Sequence, residues 1–163
     1  MTLREMVMDA LKENQKPYSS IEVTDVIFQA LSETAVSTML AQNFHWNVTG
    51  MAFAPLHQLF QDIYEDHFEA QDSLAERIRA LGSFVDGSLA SMISKSKIKE
   101  CSERITDKEM IKEMLFAQET LASTFAGVSD IAIKNGDKIT EDLCVERGLI
   151  HEKFAWFLRA HMG

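Results

Sequence analysis

Apolar side chains recur three and four residues apart along most of the 163-residue chain, which is the spacing of an amphipathic helix. No stretch has the alternation of apolar and polar residues that a half-buried strand requires. Gly50, Gly82 and the Asn135-Gly136 pair interrupt the helical pattern and mark helix ends. The pattern predicts a short helix and a linker within residues 1–19, and four long helices at residues 20–46, 55–81, 107–134 and 140–160.

The segment between the second and third long helices, residues 83–106, has no continuous helical period. It predicts a long crossover that holds one short helix. Four long helices with such a crossover are typical of ferritin-type bundles rather than of up-down bundles with short loops. The length and the 46% hydrophobic content suit one core and are too small for two domains to be expected. We therefore predict an all-α, ferritin-like four-helix bundle in a single domain, residues 1–163.

The charge balance favours cationic partners. Acidic residues outnumber basic ones 25 to 16, which gives a formal net charge of −9. Such a chain repels nucleic acid and anionic lipid on average and attracts metal ions. Residues 1–18 carry three basic and three acidic side chains, so they offer no net charge for phosphate binding. Lys95, Lys97 and Lys99 form the remaining basic cluster, and we expect weak or no DNA binding.

The two cysteines, Cys101 and Cys144, form no CxxC motif, which argues against a zinc knuckle and a disulfide framework. We expect both to be reduced thiols in a cytoplasmic protein. The N-terminal segment is amphipathic rather than a signal-peptide core. No apolar run approaches the roughly 18 residues of a membrane span, so no membrane association is expected.

One histidine stands out in the stretch "QNFHWNVTG", where His45 lies between Phe44 and Trp46. A lone histidine in an apolar stretch is more often a hydrogen-bonded core residue than a ligand. His57, however, opens the next helix across a short turn, and Asp72 with Glu76 lies four residues apart on one helix face. The ordinary di-iron bundle needs Glu-x-x-His. The residues three before the five histidines are Gln42, Ala54, Tyr64, Gly148 and Leu158, so a di-iron site inside the bundle is not expected.

The histidine pair and the carboxylate pair cannot bind the same ion within one chain. His57 and Asp72 lie 15 residues apart on one predicted helix, or roughly 22 Å. Two copies of that helix, antiparallel across a two-fold axis, would bring the histidine end of each to the carboxylate end of the other. The spacing therefore predicts two metal sites shared between subunits.

Several segments together resemble the Dps family, the miniferritins named as DNA-binding proteins from starved cells. The matching segments are "NFHWNVTG" (43–50), "LH" (56–57), "DSLAERIRALG" (72–82), "GDKITEDL" (136–143) and "HEKFAW" (151–156). The resemblance covers nearly the whole chain. It implies a homododecameric cage that oxidises Fe(II), preferably with hydrogen peroxide and otherwise with dioxygen, and stores the Fe(III) product inside.

The resemblance also implies roles for single residues. By position, His45, His57, Asp72 and Glu76 match the ferroxidase ligands of the family. Trp46 matches the aromatic residue near that centre, where it intercepts escaping oxidising equivalents; ordinary core packing is the alternative. Many members carry a carboxylate one helical turn after the second histidine, and this chain has Gln61 there. We expect the second iron to bind weakly at Gln61 or through water.

Three acidic residues near the start of the last helix have two interpretations. Asp137, Asp142 and Glu146 lie where the family lines acidic pores at three-fold axes, so they are candidates for an iron entry pore. Acidic residues in a first helical turn also stabilise the helix dipole, which is the alternative.

The remaining histidines, His67, His151 and His161, are given no role, and His67 is expected on the solvent side because acidic residues flank it. Two other functions stay open from the sequence alone. The protein could be a structural helical oligomer with little ferroxidase activity, or a nucleoid-associated protein that protects DNA.

Overall fold

The computed structural model describes residues 2–7 and 21–163. These residues form five helices that we label in chain order, α1 (Ile21–Asn47), α2 (Phe53–Ala80), α3 (Leu89–Lys95), α4 (Asp107–Lys134) and α5 (Lys138–Ala160). Residues 3–7 are also helical, and the described part of the chain contains no strand. The four long helices and the crossover with one short helix are confirmed. Most of the predicted N-terminal helix and its linker lies outside the described residues.

The helices pair as α1 with α2 and α4 with α5, and α1 joins the two pairs through its contact with α4. Bulky side chains from all four long helices fill the centre of the bundle without solvent exposure. The largest of them are Phe44, Phe60, Phe125, Ile27, Leu31, Leu56, Ile63, Leu74, Ile78, Met114, Leu121 and Leu158. Within the described segments, no helix is long and apolar enough to cross a membrane.

Local signals set the helix ends. Thr106 and Glu109 form a capping box at the start of α4, in which each side chain bonds the other's backbone N–H. Gly82, directly after the α2 cap, has φ +90°, a conformation that L side chains rarely adopt. The predicted end of this helix at Gly82 is therefore explained by its backbone.

The crossover is fastened along α1. The backbone carbonyl of Lys95 accepts a hydrogen bond from Gln29 Nε2 at 2.8 Å, and Lys95 Nζ pairs with Asp25 at 2.9 Å. Asn43 Nδ2 donates to the carbonyl of Cys101 at 2.7 Å.

Cys101 and Cys144 are both free thiols, the first half-buried and the second buried.

The start of α5 is tied to α2 through Asp137. This residue caps α5 by accepting from the backbone N–H of Thr140 at 3.0 Å, and it is only 4% exposed. Arg77 of α2 donates to Asp137 at 2.7 Å and to the Thr140 hydroxyl at 2.9 Å. Burial alone raises the pKa of Asp137, but the Thr140 hydrogen bonds and the Arg77 charge outweigh it and hold the pKa below its usual value.

Replacing the cap tests how much this link stabilises the bundle. We expect Asp137→Ala to lower the free energy of unfolding by about 1–3 kcal/mol, because it removes a cap and leaves Arg77 without its partner. Asp142 is an exposed acid on the same helix, and Asp142→Ala is the matched control. This control should change the free energy of unfolding by less than about 0.5 kcal/mol. Denaturant midpoints provide the measurement.

The same comparison has a defined pH dependence. Because the folded-state pKa of Asp137 is lowered, its contribution is complete above the unfolded-state pKa near about 3.9 and is lost as the pH falls further. The gap between wild type and Asp137→Ala should therefore narrow below about pH 4. Equal losses for both variants at neutral pH would contradict the link.

Candidate metal centre

The turn between α1 and α2 brings His45 and His57 into direct contact. Their rings stack with centroids 3.7 Å apart and planes 19° from parallel. His45 Nδ1 lies 2.8 Å from the backbone carbonyl of His57, and His57 Nδ1 lies 2.7 Å from the carbonyl of His45. A carbonyl only accepts, so each Nδ1 carries the hydrogen and each Nε2 keeps its lone pair. Among the described residues, no hydrogen bond uses either Nε2, so both rings are set for metal binding.

Aromatic side chains surround the pair. Phe53 stacks on His57 with centroids 5.0 Å apart, and Tyr64 meets His45 edge-on at 5.3 Å. Both histidines are half-buried. Trp46 is 65% exposed and borders a shallow depression with Met39 and Cys101, so it is not part of the protomer's core. The core-packing alternative for Trp46 is therefore wrong within the protomer.

The carboxylate pair lies at the other end of α2. Asp72 and Glu76 are exposed and one helical turn apart, and α2 runs unbroken for 28 residues between its ends. Within residues 2–7 and 21–163, no group of three or more His, Cys, Asp or Glu side chains could hold a metal ion. The protomer thus brings the two histidines together and keeps them from the carboxylates. Gln61, one turn after His57, donates to Glu65 at 2.7 Å.

The three candidate pore residues differ in their surroundings. Asp142 and Glu146 are exposed on α5, whereas Asp137 is buried and bonded to Arg77 and Thr140. Asp137 thus has the helix-start role that was its alternative interpretation, and two acidic side chains remain free to face solvent.

The prediction that His67 lies on the solvent side is wrong. Its side chain is fully buried and takes part in a polar cluster with Asp66, Gln118, Arg147 and His151. The acidic neighbours of His67 suggested exposure, but its position in the core register, between Ile63 and Leu74, gives the correct answer. This cluster was missed because its members come from three helices.

Comparisons with known proteins agree with the fold of the chain. Residues 25–163 match the model of the ferritin-like domain. A DNA protection during starvation protein of Helicobacter pylori is 32% identical over 140 residues, covering 85% of this chain and 97% of that protein.

Solved structures give the same result. Dps from Staphylococcus aureus superposes with a TM-score of 0.86 at 26% identity, covering 89% of this chain and 97% of that one. Dps from Vibrio cholerae, described as a member of a superfamily of ferritin-like diiron-carboxylate proteins, has a TM-score of 0.83 at 26% identity over 87% and 89% of the chains. The chain therefore belongs to the ferritin-like family, as a Dps protein.

Proposed function

We propose that this protein oxidises Fe(II) at sites shared between two subunits and stores the Fe(III) product inside a closed cage. The observation that carries the proposal is the stacked histidine pair with both Nε2 atoms available. His45 and His57 of one subunit would bind iron together with Asp72 and Glu76 of a second. The positional match of these four residues to the ferroxidase ligands of the Dps family, which the sequence resemblance implies, supports the same assignment.

The donor set suits the chemistry. Imidazole and carboxylate together accept Fe(II), and the carboxylates favour the more highly charged Fe(III) product. Two Fe(II) ions each lose one electron, and one hydrogen peroxide takes both electrons and two protons to give two waters. The preferred oxidant would then be consumed without releasing a one-electron oxygen radical. Dioxygen is the alternative oxidant.

Two residues modify the site. Gln61 offers a neutral amide where many relatives would offer a carboxylate, and it already bonds Glu65. A second iron ion would therefore be held weakly or through water. Trp46 lies next to His45 in the sequence and is exposed, so it would face the neighbouring subunit, close to any oxidising species that escapes.

Mixing two inactive variants tests whether the site is shared. We expect the double variant His45→Ala/His57→Ala and the double variant Asp72→Asn/Glu76→Gln each to lose most of the peroxide-driven Fe(II) oxidation, measured by absorbance of Fe(III). Co-expressed at equal levels, they should regain about one quarter of the wild-type rate. Half of the dimers are then mixed, and one of the two sites in each mixed dimer is complete.

The control is co-expression of two variants that both change the histidine half of the site, His45→Ala and His57→Ala. No pairing of these subunits restores a complete site, so the rate should stay at the residual level. A set of ligands within one chain would predict no recovery in either mixture, and that result would contradict the shared site.

A shared site needs a stable oligomer. We expect light scattering to give a mass of about 220 kDa, twelve subunits of 18.4 kDa, at micromolar concentration. The copy number follows the family resemblance, and the two-fold pairing follows from the split ligand set. A stable monomer under these conditions would remove both the cage and the mechanism.

We also propose that Asp142 and Glu146 line an iron entry pore. Repeated around a three-fold axis, their carboxylates would focus a negative potential on a narrow channel and raise the entry rate of Fe(II). Asp137 belongs to this region by sequence, but its carboxylate is bonded to Arg77 and Thr140. It would support the pore by holding the start of α5.

The structure allows a sharper test than neutralising all three acids. Asp142→Asn/Glu146→Gln should slow iron loading about tenfold at low ionic strength, and by much less in 0.5 M salt, because salt screens the potential. Glu152→Gln, an exposed acid further along α5, is the matched control. Unchanged loading kinetics in the double variant, with assembly intact, would mean that iron enters elsewhere.

Two other functions receive less support. A purely structural oligomer would not need the two Nε2 atoms kept available at the subunit surface. DNA protection, which the name of the Helicobacter pylori relative describes, would need cationic side chains, and one of the three candidate lysines, Lys95, is already paired with Asp25. We expect weak or no binding to duplex DNA at physiological salt.

A further inference from the structure

Five side chains form a closed ring of hydrogen bonds inside the bundle. His67 Nδ1 lies 3.0 Å from Asp66, and His67 Nε2 lies 3.2 Å from Gln118 Nε2. Gln118 Oε1 lies 2.9 Å from His151 Nδ1, and His151 Nε2 lies 3.2 Å from Arg147. Arg147 closes the ring with two bonds to Asp66, at 2.9 and 2.7 Å. The ring joins α2, α4 and α5.

The donors and acceptors of this ring can be arranged in one direction only. Arg147 donates and never accepts, so His151 Nε2 must accept and His151 Nδ1 must carry the hydrogen. The hydrogen on His151 Nδ1 must be accepted by the amide oxygen of Gln118. The amide NH₂ of Gln118 then donates to His67 Nε2. The hydrogen of His67 is then on Nδ1 and goes to the Asp66 carboxylate. Each bond of the ring then has one donor and one acceptor while both imidazoles are neutral, and Arg147 Nε, which lies outside these bonds, is buried without a partner among the described residues.

We propose that this ring is an acid-sensitive latch, which binds α2 to α4 and α5 while both histidines are neutral and opens when either one is protonated. An added hydrogen on His151 Nε2 points at the donors of Arg147, and one on His67 Nε2 points at the amide NH₂ of Gln118. If the side-chain amide of Gln118 is flipped, its oxygen accepts from the charged His67, but its NH₂ then points at His151 Nδ1. His151 then faces donors on both sides, so no arrangement satisfies both histidines once either of them is charged.

The surroundings of the two imidazoles are mostly apolar. His67, Gln118 and His151 are fully buried, and Arg147 is 6% exposed. Phe125 stacks on His151 with centroids 5.3 Å apart, and Phe154 meets His67 edge-on at 6.1 Å. The ring is thus mostly enclosed, and the side chain of Asp66, 23% exposed, is its main contact with solvent.

The charged groups that act on the two imidazoles are Asp66 on α2, Arg147 on α5 and the imidazoles themselves. From α4, Gln118 faces them, with Met114 bonded to its amide, and from α1, Ser37 reaches the sulfur of Met114. Glu33, also buried on α1, is bonded instead to Gln29 and Thr124. The nearby carboxylate is thus already matched by a guanidinium, which adds no net attraction for a third charge.

The direction of the pH dependence follows from these surroundings. Burial lowers the pKa of His67 against the opposing effect of Asp66, and burial, with the charges of His67 and Arg147, lowers the pKa of His151 well below its usual value. The unfolded chain then binds protons first as the pH falls. The stabilising contribution of the two histidines is therefore complete above the unfolded-state pKa of about 6.5 and decreases below it. For each histidine, the folding equilibrium constant falls by up to about tenfold per pH unit.

Unfolding of the assembled wild-type protein between pH 7.5 and 5.0 tests the latch. We expect the denaturant midpoint to be constant from pH 7.5 to about 6.5 and then to fall steadily, with uptake approaching two protons per subunit on unfolding. Carboxylates with a lowered pKa, such as Asp66 and Asp137, change the pH dependence of stability only below about pH 4. The decrease between pH 6.5 and 5.0 is therefore assigned to histidine.

A triple variant distinguishes the contribution of the ring to this pH dependence from the contributions of the other histidines. His67→Leu/Gln118→Leu/His151→Leu replaces the neutral members of the ring by apolar ones and keeps the pair of Arg147 and Asp66. Its midpoint should lose the decrease between pH 6.5 and 5.0, whatever its stability at pH 7.5. His161→Leu, an exposed histidine at the C-terminal end of α5, and His45→Gln/His57→Gln should both keep the decrease.

Hydrogen exchange of the wild-type protein gives an answer that needs no variant to fold. After correction for intrinsic rates, amides near residues 63–70, 114–121 and 147–154 should lose protection at pH 5.5 relative to pH 7.5. Unchanged protection in these segments, a flat wild-type midpoint, or a triple variant that keeps the decrease would each overturn the latch.

Discussion

The unbroken length of α2 is the constraint on which the candidate metal centre depends. A helix of 28 residues is rigid on the scale of a metal site, so His57 near its start and Asp72 near its end stay roughly 22 Å apart. The core register of the helix, from Leu56 to Ile78, fixes which face remains outside. In the proposed site, a complete ligand set would therefore need a second copy of the same helix.

The turn before α2 prepares the histidine half of the site without any help from a partner. Each ring bonds the backbone carbonyl of the other residue, so the end of α1, the start of α2 and both tautomers are fixed together. The entropic cost of ordering these side chains is met during folding of the subunit, so in the proposed site a metal ion would encounter two ligands already in place. The exposed carboxylates of Asp72 and Glu76, in contrast, make no hydrogen bond or ion pair within the described residues, and in the proposed site a second subunit would orient them.

Local patterns predicted most of the fold, because helix ends in this chain have local causes. The capping box at Thr106 and the positive φ of Gly82 are readable from the sequence, and the predicted α4 agrees with the structure at both ends. The short turn predicted between the first two long helices also indicated that His45 and His57 lie close together. Contacts between distant residues were not readable. Arg77 engages Asp137 from 60 residues away, and His67 meets Gln118 from 51 residues away. Such contacts depend on how the helices rotate against each other, which periodicity alone leaves undetermined.

The surroundings of Cys144 have a consequence under the proposed oxidation of iron by peroxide. Its thiol is buried, and burial, with a smaller effect of the Asp137 charge, raises its pKa to about 12. The thiolate is the form that peroxide oxidises, and at neutral pH it is then about one part in 10⁵ of the population. Under the proposed activity, the oxidant meets iron at the subunit interface while this sulfur, packed at the start of α5, stays chemically inert. Burial of this sulfur in the bundle, with a smaller contribution from the cap of α5, would thus protect the residue from the proposed oxidant.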